Sequence, residues 1–276
     1  MFTEESLTAD LRRLGVGGAR ALLMHSSLRS VGLVRGGSLT VVRALRRALG
    51  PGGTLVVPTF TEGNSLTSRT HRRMTAGLTD SQTLAYRERM EPFDSASTPS
   101  YGMGRIAEEV RTTAGALRSR HPQTSFAAIG PLAARVTTGH PLDCLLGERS
   151  PLGRLYDNGA QILLLGVGFE VCSAFHLSEY RVPAPVRRPY YCKVATEDGP
   201  RWIDFSDVDL DDRDFGEVGQ WVETLPHRGH GLVLRGRVGD ADARLLPLVP
   251  AVDAAASWMT TCRSTAGQLS GEGDRA

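Results

Sequence analysis

After Thr3, a natural N-cap, apolar residues recur at helical spacing in Leu7, Leu11 and Leu14, which predicts a first helix. The glycine-rich stretch 15–18 ends it, and Ala21 to His25 read as a buried strand. Ser38 opens a second helical stripe through Val42, Leu45 and Leu49, with Gly50-Pro51 as its stop, and 54–58 reads as a second short strand. A helix–strand–helix–strand opening predicts a largely parallel sheet with helices packed on it.

The pattern then breaks. Residues 61–97 are polar and irregular and read as a long loop, either a lid over a cleft or a surface excursion. Ser100 is a candidate cap for a helix carrying Ile106 and Val110, and a further helical stretch is predicted near 126–136. Ser150-Pro151 has the form of an N-cap followed by proline at the first helical position, leading into Leu152 and Leu155. A buried strand at 162–167 follows. Runs at 190–196 and 202–205 predict one hairpin, and runs at 231–238 and 243–249 a second. A last amphipathic helix is predicted over 252–262. The polar, Gly- and Ser-rich segment 263–276 reads as a frayed tail, so 1–262 is expected to form one domain.

Composition narrows the classes. The chain has 276 residues, 41% apolar and 22% charged, as expected of an ordinary α/β domain. A net charge of +2 gives no reason to expect nucleic acid or a membrane as partner. The four cysteines lack CxxC spacing, and the N-terminus lacks a signal-peptide layout; both predict a reduced, cytoplasmic protein.

Candidate chemistry gathers behind the 162–167 strand. A glycine turn (Gly166-Val167-Gly168) is followed by Glu170, Cys172, His176 and Glu179. His176 and Glu179 share a helix face, which suits a base with a nearby carboxylate or half of a metal site, or else an exposed ion pair. A dinucleotide fingerprint is excluded because position 171 is Val where the third glycine belongs, and no GxSxG elbow occurs. Cys172 fits no cysteine-enzyme signature and reads as a small buried hydrophobe. The turns Met24-His25-Ser26-Ser27-Leu28 and Thr98-Pro99-Ser100 carry hydroxyls and amides suited to phosphate or pantetheine. Arg118-Ser119-Arg120-His121-Pro122 carries guanidinium charge.

In order along the chain, these segments, together with Phe93-Asp94, Gly147-Glu148-Arg149-Ser150-Pro151-Leu152 and His176-Leu177-Ser178-Glu179, resemble the aminoglycoside 3-N-acetyltransferases, which are distinct from the GNAT acetyltransferases. The resemblance implies an α/β/α sandwich with a mostly parallel central sheet and a C-terminal antiparallel hairpin region. It implies acetyl-CoA as co-substrate and no metal. His176 matches the general base and Glu148 the carboxylate that orients it. Glu170, Glu179 and Asp94 match the acceptor side; Ser26, Ser27, Leu28, Thr98, Ser100 and Arg118 match the coenzyme A side. Many relatives carry Asp-Ser or Asn-Thr ahead of the histidine, whereas this chain reads Glu170-Val171-Cys172-Ser173-Ala174. The implied partner is a small-molecule amine, with a homodimer left open. Two alternatives stand beside the aminoglycoside acceptor: another small amine of natural-product metabolism, and a non-catalytic coenzyme-A-binding homologue.

Overall fold

The computed structural model describes residues 1–271. The chain runs α1 (Glu4–Leu14), β1 (Ala21–Ser26), α2 (Leu28–Val31), α3 (Gly37–Leu49), β2 (Thr54–Pro58), α4 (Arg69–Thr75), α5 (Asp80–Glu88) and α6 (Gly104–Thr112). It continues through β3 (Leu117–Arg118), β4 (Phe126–Ile129), α7 (Ala133–Thr137), α8 (Pro151–Asp157), β5 (Gln161–Leu165) and α9 (Phe175–Glu179). Last come β6 (Arg187–Thr196), β7 (Gly199–Val208), α10 (Phe215–Glu223), β8 (Pro226–His227), β9 (His230–Gly231), β10 (Leu234–Val238), β11 (Ala241–Pro247) and α11 (Leu248–Gly271).

Thr3 caps α1 in a reciprocal box with Ser6, and Gly15 ends that helix in the left-handed region. Ser150 caps α8 with Pro151 at its first turn, as its sequence predicts. Seven strands form one sheet in the order β10-β11-β5-β1-β2-β4-β3. Its centre, β5-β1-β2, is parallel, while β11 joins β5 and β4 joins β2 antiparallel. The sheet is therefore mixed, with the expected parallel character confined to its middle.

Strand alternation divides the interior into two cores. Leu22, Met24, Leu55 and Leu163 face α1, α3 and α6, whereas Leu23, Val56, Ile162 and Leu164 face α7–α11. That is the α/β/α layering. The second predicted hairpin, β10–β11, is an edge of the main sheet, and the first, β6–β7, forms its own two-stranded sheet.

Several elements depart from the pattern reading. The stretch at 126–136 begins as strand β4, because Phe126 to Ile129 are all buried between the two helical layers and pair with β2, and only then turns into α7. Residues 61–97 contain α4 and α5, which are tied down by β6: Leu66 N–H donates to Tyr191 O, and Lys193 Nζ donates to the carbonyls of Glu88 and Met90. Ser100 caps no helix; its hydroxyl donates to Glu108 at 2.7 Å. The final helix continues past Cys262 to Gly271, so 263–271 of the expected tail are helical, and 272–276 lie outside the described residues.

Candidate active site

The parallel strands β1, β2 and β5 deliver their C-terminal ends to one edge of the sheet, the place where α/β proteins gather ligand-binding groups. The chain leaving β5 turns at Gly166, whose φ of +67° and contact with Ser30 leave no room for a side chain. After one 3₁₀ turn (Phe169–Val171), the short helix α9 sets His176 and Glu179 on the same face.

His176 Nδ1 lies 2.6 Å from Glu179 Oε2. Glu179 is only 2% exposed, and its other oxygen accepts from Arg263 Nη1 at 2.6 Å and from the Asp211 N–H at 2.9 Å. Arg263 in turn donates to both oxygens of Asp214. With Nδ1 donating to a carboxylate, Nε2 keeps its lone pair. The ring also packs on Phe215, 4.7 Å between centroids, which further fixes its plane.

His176 lines a cleft of about 700 Å³. Its walls come from the loop after β2 (Thr61, Glu62, Ser65), from α4 (Arg69, Arg72) and from the 209–213 loop. The segment 61–97 is therefore a wall of this cleft. Acids and guanidinium groups are evenly matched in the lining: Glu62, Asp209, Asp211 and Asp212 against Arg69, Arg72, Arg188 and Arg213.

The geometry corrects the expected partner of His176. Glu148 does not reach the ring; its carboxylate takes Arg181 Nε at 2.7 Å and Nη2 at 3.2 Å near the surface. The motif around it is architectural. Tyr180 packs on the face of Gly147, Ser150 caps α8, and Gly153 sits against the Glu148 carbonyl, where a side chain would collide. Glu170 folds back to accept from the Gly168 N–H, and Asp94 accepts from Ala96 N–H in a local turn; neither lines the cleft.

Of the segments expected to meet coenzyme A, Arg118 bonds to Thr98, and the Ser26 turn lies against the start of α6. Ser27 caps α2 and donates its N–H to Leu165 O, and Gly104 at the start of α6 lies against the Ser26 carbonyl. Arg118 donates to Thr98 O at 2.5 Å and Thr59 O at 2.7 Å. Among the described residues no carboxylate pairs with Arg118; burial, then Arg111, push its pKa down to about 10. A cation held this way, with neutral oxygens for company, suits an incoming phosphate. Leu28 opens α2.

Pattern reading passed over Arg263, Asp211, Asp214 and Phe215. The signal for Arg263 was present: Ala255, Met259 and Arg263 are spaced four apart, so the arginine extends the buried stripe of α11. The 211–215 segment offers no such signal, because its role comes from the fold alone.

The model of the aminoglycoside 3-N-acetyltransferase family matches residues 23–260. The SPbeta prophage-derived aminoglycoside N(3')-acetyltransferase-like protein YokD of Bacillus subtilis (strain 168) is 35% identical over 257 residues, which span 93% of this chain and 92% of the relative. The crystal structure of YokD superposes with a TM-score of 0.85 at 34% identity, covering 94% of this chain and 99% of that one. Aminoglycoside N(3)-acetyltransferase VII of Streptomyces paromomycinus is 33% identical over 279 residues, with 93% and 91% coverage. The structure of AAC-IIIb in binary complex with CoASH superposes with a TM-score of 0.81 at 28% identity, covering 94% and 96%. The mixed sheet, the carboxylate-held imidazole and these matches together define an acyltransferase. The chain belongs to the aminoglycoside 3-N-acetyltransferase family.

Proposed function

We propose that the protein moves an acetyl group from acetyl-CoA directly to an amine, with His176 as general base and Glu179 as the carboxylate that orients it. The observation carrying this reading is the 2.6 Å contact between Nδ1 of His176, a residue lining the cleft, and Glu179; with Nδ1 donating, the neutral ring keeps Nε2 as a proton acceptor. An amine becomes a nucleophile only on losing a proton, and an imidazole placed this way can take it as the bond to carbon forms. Glu179 favours the positive charge that builds on the ring, and Arg263 and the Asp211 N–H hold Glu179 in place.

Acetyl-CoA supplies the activated acetyl group. The turns at Ser26, Ser27 and Leu28 and at Thr98 and Ser100 form its side of the site, with Arg118 for phosphate charge. No enzyme nucleophile is needed. Cys172 is buried, and burial pushes its thiol up to about 12, far from the thiolate that nucleophilic attack requires. The acceptor we assign is the 3-amine of an aminoglycoside, as the names of the relatives suggest. Acetyl-CoA and four free thiols suit a cytoplasmic setting.

One observation favours a second acceptor class. A polycation calls for a surplus of acid, yet the cleft matches four acids with four arginines, a balance that suits a small amine of lower charge better. Thiol release from acetyl-CoA across a panel of aminoglycosides and other amines, with the products weighed, tests both. Turnover with an aminoglycoside supports the first reading and turnover only with other amines the second. Coenzyme A binding without turnover on any amine, or an acetyl group trapped on Cys172, would overturn direct transfer.

A further inference from the structure

A second histidine at the same edge of the sheet has an arrangement that the base and its carboxylate leave unexplained. His25 is the penultimate residue of β1, immediately before the Ser26-Ser27-Leu28 turn, and is 7% exposed. Its Nε2 accepts the backbone N–H of Ser173 at 3.3 Å, and the Ser173 hydroxyl lies 3.2 Å from the same atom. A backbone N–H can only donate, so Nε2 must present a lone pair, and in the neutral ring the proton sits on Nδ1. Among the described residues Nδ1 has no hydrogen-bond partner, yet it is not one of the polar atoms sealed from solvent without one. Ser173 also accepts the backbone N–H of His176 through its carbonyl, so one residue couples the two histidines.

We propose that the Nδ1–H of His25 donates to the thioester carbonyl oxygen of acetyl-CoA during transfer, making His25 a catalytic residue alongside His176. This role rests on the acetyl-transfer reading above.

The balance of the step is simple. The amine nitrogen forms a bond to the carbonyl carbon, the C=O π pair moves onto oxygen, and the amine proton passes to His176 Nε2. The negative oxygen is met by the Nδ1–H of His25. As the C=O re-forms, the C–S bond breaks, and the thiolate leaves to collect a proton from the His176 imidazolium. The products are the amide and the free thiol.

Three features fit a donor in this role. First, the ring stays neutral: burial, reinforced by the nearby His176, pushes its pKa down to about 3, so at neutral pH it donates without carrying a charge of its own. Second, its tautomer is fixed in advance by Ser173, which makes the donor preorganised. Third, two of the serine hydroxyls that might otherwise serve are bonded to each other. Ser30 Oγ lies 2.9 Å from Ser27 Oγ and 3.0 Å from Gly166 O, and the Ser27 N–H goes to Leu165 O.

Two conservative variants separate this role from a merely structural one. In His25→Asn the side-chain amide can place an N–H where Nδ1 stands but leaves Ser173 without its acceptor. In His25→Gln an amide oxygen can take over the acceptor from Nε2 but offers no donor at the Nδ1 position. Steady-state thiol release is measured for both, for His25→Phe and for the unaltered enzyme, beside melting temperatures. Removing one such donor typically lowers kcat by roughly 10²–10³-fold. We expect that loss in His25→Gln and His25→Phe with KM for acetyl-CoA little changed, and a distinctly higher kcat in His25→Asn. Near-normal kcat in His25→Gln, with the loss confined to His25→Asn, would make His25 a structural anchor for Ser173 and overturn the proposal.

Nitrogen-15 NMR of the histidine side chains is independent of turnover. A His25 ring protonated on Nε2, or one that titrates between pH 5 and 8, would also overturn it. Loss of turnover in His176→Ala together with normal turnover in all three His25 variants defeats this role and leaves the base assignment intact. Absence of turnover in the unaltered enzyme on every amine defeats the acetyl-transfer reading and this role with it.

Discussion

Two histidine regions of this molecule start from similar sequence signals and end in opposite roles. At 118–122 a histidine follows two arginines, and at 176–179 a histidine precedes a glutamate. The histidine of the first lies wholly inside. His121 is fully buried and packs, tilted, against His140 at 4.7 Å between centroids, and its Nδ1 accepts from the Gln123 and Thr124 N–H groups. His140 meets Ser119 and the carbonyls of Cys144 and Leu145. Burial pushes the His121 pKa down to about 4 and that of His140 well below its ordinary value. Every polar atom of this pair is spent on fixing loops. His176 instead has one nitrogen held by a carboxylate and belongs to the lining of the cleft. Residue type nominates a histidine for chemistry; its partners and access decide the matter.

The comparison breaks most sharply under paired substitutions. His176→Ala is expected to lower kcat by roughly 10²–10⁴-fold while melting temperature and coenzyme A affinity hold, as for loss of a general base. His121→Ala is expected to act on stability instead, lowering it by about 2–4 kcal/mol, because two backbone N–H groups lose their acceptor in the interior. Kinetics and urea unfolding on both variants check this. Near wild-type turnover in His176→Ala would remove it from the base role.

How much of this was legible in the sequence follows from the range of the interactions involved. The first helix, both opening strands and the cap at Ser150 are written in local pattern, and the structure keeps them. The antiparallel β4–β3 edge was not, since whether β4 runs with or against β2 depends on connections that alternation does not encode. The partner of His176 was misread for a related reason. Glu148 belongs to a distinctive motif, but that motif is distinctive because Gly147, Ser150 and Gly153 are packing positions. Glu179, three residues from His176, was the simpler answer. What secures it is Arg263, which arrives from the far end of the chain on a helix that the polar composition of 263–276 concealed.

The two carboxylates can be set against each other directly. Glu179→Gln removes the charge beside His176 and one of the two carboxylates that Arg263 pairs with, and we expect a loss in kcat of about 10–10³-fold, a part of what the base itself supplies. Glu148→Gln breaks only an exposed pair with Arg181, a type of interaction typically worth about 0–1 kcal/mol, and should leave turnover within about twofold. If the two variants exchange these outcomes in steady-state assays, Glu148 orients the base in the working enzyme and the geometry described above is a resting arrangement.

A last effect sits on the structural side and is read as pH dependence of stability. In the unfolded chain His121 takes a proton near pH 6.5, whereas in the folded protein it does so only near about 4. Between those values the unfolded chain binds more protons, so acidification favours unfolding. The stability that neutral, buried His121 contributes is thus fully present above about pH 6.5, falls as pH drops, and is gone below about 4. From this histidine alone the loss between pH 7 and 5 is on the order of 2 kcal/mol, and His140 acts in the same direction. Urea unfolding at pH 7, 6 and 5 should show the decline, and His121→Asn should flatten it even though that variant starts from lower stability. An unchanged slope would mean that the buried pair opens to water before it protonates, and the contrast with His176 would lose its basis in burial.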